Sequence, residues 1–139
     1  MNEKKDYAFR TMLNVPYEQA LEKVKASLKD EGFEVLTSVD VKETMKEKLG
    51  VDFRPYTIIG ACDPPLSHRA FEQDIEAGLV LPCNVIVYEK DGGSAVAIAD
   101  PVTMIGVLEN PDLGEVAHEA QAKLKRVIAR LEGRTTVCG

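Results

Sequence analysis

Apolar positions along the chain change period several times, and each change marks an element. Tyr7 to Leu13 mixes aromatic and apolar residues and predicts a first strand. Pro16 then opens a helix whose apolar residues Ala20, Leu21, Val24 and Leu28 fall on one face, with Gly32 as its stop. From Phe33 the apolar and polar positions alternate through Val35, Thr37 and Val39, the signature of a half-buried second strand. Helical spacing returns behind Asp40. Val41, Met45 and Leu49 lie four apart, Asp40 and Glu43 make a capping-box-like start, and Gly50 ends the helix.

Tyr56 to Ala61 is a continuous apolar run, which predicts a buried strand. Asp63-Pro64-Pro65 supplies an N-cap and a proline at the first helical position, starting a helix through Phe71. Asn84 to Tyr88 and Ala95 to Ala99 flank Asp91-Gly92-Gly93, the clearest hairpin signal in the chain. Asp100-Pro101 ends the hairpin, and Val102 to Leu108 fits strand and helix equally well. Asn110-Pro111-Asp112 caps the longest helix, whose stripe is Leu113, Val116, Ala117, Ala120, Leu124, Val127, Ile128 and Leu131, with Gly133 closing it. The order β-α-β-α-β-α-β-β-α predicts an α+β two-layer sandwich: a mixed or antiparallel sheet with helices packed on one face. No repeat or linker divides the chain, so one domain spans 1–139, with a core over about 7–132 and a tail at 133–139 carrying Cys138.

Composition narrows the function classes. With 139 residues, 45% hydrophobic and 29% charged, the chain suits one soluble domain that needs neither disulfide nor metal to fold. Its net charge of −6 repels a phosphate backbone and argues against nucleic-acid binding. No stretch approaches the ~18 apolar residues of a membrane span. The segment Met1 to Asp6 has no apolar run behind its lysines, so a cytoplasmic protein is expected. The one basic run, Lys123, Lys125, Arg126, Arg130 and Arg134, falls at the end of the last helix, where cations complement its dipole. His118 and the acidic run Glu72, Asp74 and Glu76 read as solvated surface. Cys62, Cys83 and Cys138 are expected to be free thiols in a reducing compartment.

Candidate chemistry concentrates in Gly60-Ala61-Cys62-Asp63-Pro64-Pro65-Leu66-Ser67-His68-Arg69, where a strand gives way to a helix. Free backbone N–H groups and a positive dipole end favour a thiolate there, whereas the Asp63 carboxylate opposes one. His68, about one turn into the helix, is a candidate base or ligand beside Cys62. Cys83, behind Pro82, begins the next strand. Antiparallel strands would bring Cys62 and Cys83 to one end of the sheet; a parallel crossover would separate them. The spacing allows both. No zinc spacing, dinucleotide fingerprint, nucleophile elbow or phosphate loop is present, and no cofactor follows from the motifs.

The run from Tyr56 to Ala70, with Leu81-Pro82-Cys83-Asn84-Val85-Ile86-Val87-Tyr88-Glu89 and Asp100-Pro101, resembles the domain of unknown function 302. The likeness extends from about Tyr7 to Leu131, and its middle third is the specific part. Asp63 and Ser67 stand where the family pattern often has asparagine and alanine. The resemblance implies a small prokaryotic α+β domain, a homodimer, with no established activity and no catalytic residue to carry over. The residues favour a binding module that holds a small ligand or a soft metal, zinc or copper(I), near Cys62, Cys83, His68 and Asp63. The alternatives are a thiol-dependent enzyme or redox protein using Cys62, and a purely structural or regulatory dimer.

Overall fold

The computed structural model of the chain describes residues 7–133. Strand β1 (Ala8–Leu13) leads into helix α1 (Tyr17–Asp30), then β2 (Glu34–Asp40), α2 (Val41–Leu49), β3 (Tyr56–Cys62) and α3 (Pro64–Gln73). After a 3-10 turn at Ile75–Leu79 come β4 (Cys83–Lys90), β5 (Gly93–Ala99), α4 (Pro101–Gly106), a 3-10 turn at Pro111–Leu113 and α5 (Gly114–Leu131). The strands form one sheet in the order β1-β5-β4-β3-β2, antiparallel at every pairing. The fold is therefore α+β, as the element order implies.

Strand alternation explains the layering. Ile59 and Ala61 of β3, Val85 and Val87 of β4, and Val96 and Ile98 of β5 point to one face, where all are fully buried. Ala20, Val24 and Leu28 of α1 and Leu124, Val127 and Ile128 of α5 close over them to form the main core. A second apolar cluster joins Leu66 and Ala70 of α3 and Ile105 of α4 to Leu113, Val116, Ala117 and Ala120. The spacing of three and four along α5 thus serves both clusters, the sheet with its C-terminal half and the smaller helices with its N-terminal half.

Local signals behave as their chemistry requires. Asp40 accepts from the backbone N–H of Glu43 at 2.9 Å, and Gly50 ends α2 at φ 68°. Asp91 and Gly92, at φ 50° and 79°, turn the β4–β5 hairpin, since both central residues of the tight twisted turn need positive φ. Val102 to Leu108, ambiguous by pattern, starts as helix α4: Asp100 accepts from the Val102 N–H at 2.9 Å, with Pro101 in the first turn. Asn110 caps the 3-10 turn that precedes α5 rather than α5 itself.

Two expectations are corrected. Strand β2 is not half-buried: every residue of Glu34–Asp40 is exposed, and only Phe33 before it enters the core. It is an edge strand with a register shift between Val35 and Thr37, beyond the span that the helices cover. The basic run of α5 does more than face a helix dipole. Arg126 and Arg130 donate to the buried Glu31 carboxylate at 2.9 and 3.1 Å, and Lys123 pairs with Asp63 at 2.6 Å. Lys125 lies 5.8 Å from the centre of the Phe9 ring. Arg134 and Cys138 fall outside the described residues.

Candidate functional site

The two central cysteines meet at one end of the sheet. Strands β3 and β4 are antiparallel with Ala61 opposite Cys83, so Cys62 and Cys83 are neighbours along this edge, and both are free thiols. With Asp63, Leu66, Ser67 and Ile105 they line a cleft of about 20 Å³, room for one water and for no organic ligand. Cys62 Sγ is 2.9 Å from Ser67 Oγ, one turn into α3. Burial pushes the Cys83 thiol up to about 11, and the nearby Cys62 and Asp63 add to the shift. A thiol so placed is protonated at neutral pH and is not a ready nucleophile.

The remaining predicted residues divide. Asp63 does join the cysteines' cleft, but its carboxylate is already used: one oxygen caps α3 at the Leu66 N–H, 3.2 Å away, and the other holds Lys123. His68 is not brought to the thiols. Its side chain is 74% exposed and faces Glu72, 3.7 Å away and one turn along the same helix. Ser67, one residue earlier in α3, is the one that faces Cys62, and the helical rotation per residue carries His68 outward. Among the described residues no group of three or more histidine, cysteine or acidic side chains is arranged to hold a metal. The thiol–thiol–imidazole cluster expected from the sequence is therefore not assembled.

The larger concave feature lies on the opposite face of the sheet. Ala95, Ala97 and Ala99 of β5 form a floor of small side chains. Across β5, Tyr88 and Ile86 of β4 stand opposite Ala95 and Ala97, while Met12 and Arg10 of β1 stand opposite the same two alanines. Large residues on both neighbours and methyl groups between them make a groove along β5, with a volume of about 640 Å³. That lies within the ~300–1,000 Å³ of small-molecule sites. Met104 of α4 closes one end, and Lys90 lines the groove from the hairpin end of β4. Tyr56 stacks on Tyr88 at 5.2 Å between ring centres and stiffens the β4 wall, and the Arg54 guanidinium lies 5.9 Å from the Tyr88 ring centre.

Sequence reasoning missed this groove. Its signal was present in Ala95, Ala97 and Ala99, three small residues at period two, which a strand with one side packed on a core does not require.

This architecture, an open antiparallel sheet backed by helices with a thiol pair at one end, defines a small α+β domain. The chain matches the family model described as "Domain of unknown function DUF302" over residues 9–131, and it belongs to that family. A crystal structure of an uncharacterized conserved protein DUF302 from Bacillus stearothermophilus is similar to it, with a TM-score of 0.80 and 29% identity over 92% of this chain and 98% of that one. None of the curated proteins matches the chain. No helix among the described residues is long and apolar enough to cross a membrane.

Proposed function

We propose that the chain is a cytoplasmic binding module whose ligand seat is the groove along β5, not the cleft beside the cysteines. The observation that carries this reading is the alanine floor between bulky walls on the sheet face away from the main core. An apolar, preformed trough of this size suits a small, largely apolar molecule, whereas the cleft at Cys62 and Cys83 admits only water. A thiol-dependent reaction at Cys62 has less support, because His68, its candidate base, faces Glu72 and solvent.

Nile red, a neutral apolar dye, tests the seat directly. Its fluorescence should rise and shift to the blue on adding the protein, and Ala97→Phe, which fills the floor, should abolish the change while the far-ultraviolet circular dichroism stays the same. Equal dye response in both proteins would remove the groove as the seat.

A specific observation also favours a homodimer. Helix α2 has an apolar face but buries none of its residues, and β2 beside it is exposed throughout. Leu36 and Leu49 are 57% and 68% exposed there, with Val51 and Phe53 alongside. A second copy laid on this edge would cover them. Sedimentation should give twice the chain mass, falling to the single mass in Leu36→Glu/Leu49→Glu; a wild-type monomer at high concentration overturns the dimer.

A further inference from the structure

Charge along the groove points to the kind of molecule it takes, and the inference rests on the binding reading above. The chain carries 23 acidic against 17 basic residues, yet among the described residues no aspartate or glutamate lines the groove, and the two charged residues that do are cations, Arg10 and Lys90. They stand on opposite walls and toward opposite ends: Arg10 on β1 lies across from Ala97 and Lys90 on β4 across from Gly93, with methyl groups and the Tyr88 ring between them. Arg10 meets neutral groups: Nη1 donates to the Ala8 carbonyl at 3.3 Å, and the guanidinium lies 4.9 Å from the centre of the Tyr7 ring. Among the described residues its forked donors thus meet no carboxylate at the rim.

We propose that the groove binds a small amphipathic carboxylate, its apolar tail along the Ala95–Ala97–Ala99 floor and its anionic head against the cation at one end of that floor. Five residues of β5 from Ala95 to Ala99 span about 13 Å, the reach of a medium-length alkyl chain or of two fused rings with a side chain. An alkyl tail gains from leaving water over an apolar floor, and a carboxylate gains from a guanidinium or ammonium donor that a partly enclosed site screens less than bulk water does. A neutral ligand forgoes the second gain. A cationic one meets two like charges.

The test compares three probes with one tail length: dodecanoate, dodecyl maltoside and dodecyltrimethylammonium, each titrated calorimetrically into the full chain below its micelle concentration. Dodecanoate should bind about tenfold more tightly than the other two, and Arg10→Gln/Lys90→Gln should erase that advantage. Ala97→Phe, and independently Met12→Glu on the exposed wall, should remove dodecanoate binding. If all three probes bind equally and the floor variants abolish all three, the groove stands as a site and the anionic head is overturned. If no probe binds, or the floor variants change nothing, the groove reading itself fails. A wild-type dimer that Ala97→Phe dissociates would give the face to a second copy and also overturn the proposal.

Discussion

Lys123 Nζ lies 2.6 Å from Asp63 Oδ2, fastening the middle of α5 to the N-cap of α3 beside the cysteine cleft. Asp63 is 4% exposed and Lys123 32%, so the ammonium keeps some water while the carboxylate has almost none. Removing the cation strands a buried charge, which costs more than the pair contributes over two apolar groups. Lys123→Met should therefore lower stability by about 1–3 kcal/mol in urea unfolding, below the range for a fully buried pair because Lys123 is partly solvated. Asp63→Asn keeps an oxygen acceptor for the Leu66 N–H and should cost about 1 kcal/mol. Equal losses in the two variants would mean that the stranded carboxylate costs nothing beyond the lost pair.

Glu31 gives the acid dependence. Burial alone would raise its carboxyl pKa, but hydrogen bonds from Arg126 and Arg130 outweigh burial and hold it below the usual carboxylate range. A carboxylate lowered in the fold contributes stability that is complete above its unfolded pKa, about 4.3, and is lost as pH falls through the lower folded value. Glu31→Gln should be less stable than wild type by about 1–2 kcal/mol at pH 7, and the gap should shrink below about pH 4. A gap that is constant from pH 7 to pH 3 would show that the ion cluster contributes nothing through charge.

Much of the architecture was readable because neighbouring residues decide it. The β4–β5 turn follows from Asp91-Gly92, the α2 boundaries from Asp40 and Gly50, and the α5 stripe from spacing alone. What sequence left open is long-range. Strand β4 could return either way beside β3, and only their packing together sets the antiparallel register that makes Cys62 and Cys83 neighbours. The alternation in β2 is compatible with a covered face, but burial depends on whether a helix reaches the sheet edge, and none covers this one. His68 shares the Cys62 segment in sequence, yet helical rotation aims it at Glu72. The β5 groove was hidden because its walls come from β1 and β4, 70 or more residues apart along the chain.

Gly93 shows how tightly the hairpin packs on the chain's first strand. A Cβ at this position would come within 2.7 Å of the Leu13 carbonyl oxygen, a backbone atom that cannot swing aside. Gly93→Ala should destabilise by about 1–3 kcal/mol through the forced shift of β1 against β5. At Gly92, φ is 79° but nothing lies within 4 Å of an added Cβ, so Gly92→Ala meets only the backbone penalty of the left-handed region, about 1 kcal/mol. Thermal unfolding of the two variants should therefore rank Gly93→Ala as the less stable. The reverse order would place the hairpin's constraint in the turn and not in its contact with β1.

Cys83 predicts an alkaline counterpart to the Glu31 effect, with the opposite sign. Its thiol is raised to about 11 by burial, with Cys62 and Asp63 adding to the shift, so the fold favours the neutral form. The folded value exceeds the unfolded one. The contribution is therefore fully present below the unfolded pKa, about 8.5, and is lost as pH rises through the window up to about 11. Wild type should lose up to about 2–3 kcal/mol relative to Cys83→Val across that window, while near pH 7 the two should differ by no more than a conservative core exchange, about 1 kcal/mol. Labelling reports the same physics independently. With iodoacetamide at pH 8 the folded protein should be alkylated at Cys83 far more slowly than the urea-unfolded chain, located by peptide mass mapping. Rapid native labelling of Cys83 at pH 8 would show an exposed, ionisable thiol, and would reopen the cysteine end of the sheet as a chemical site.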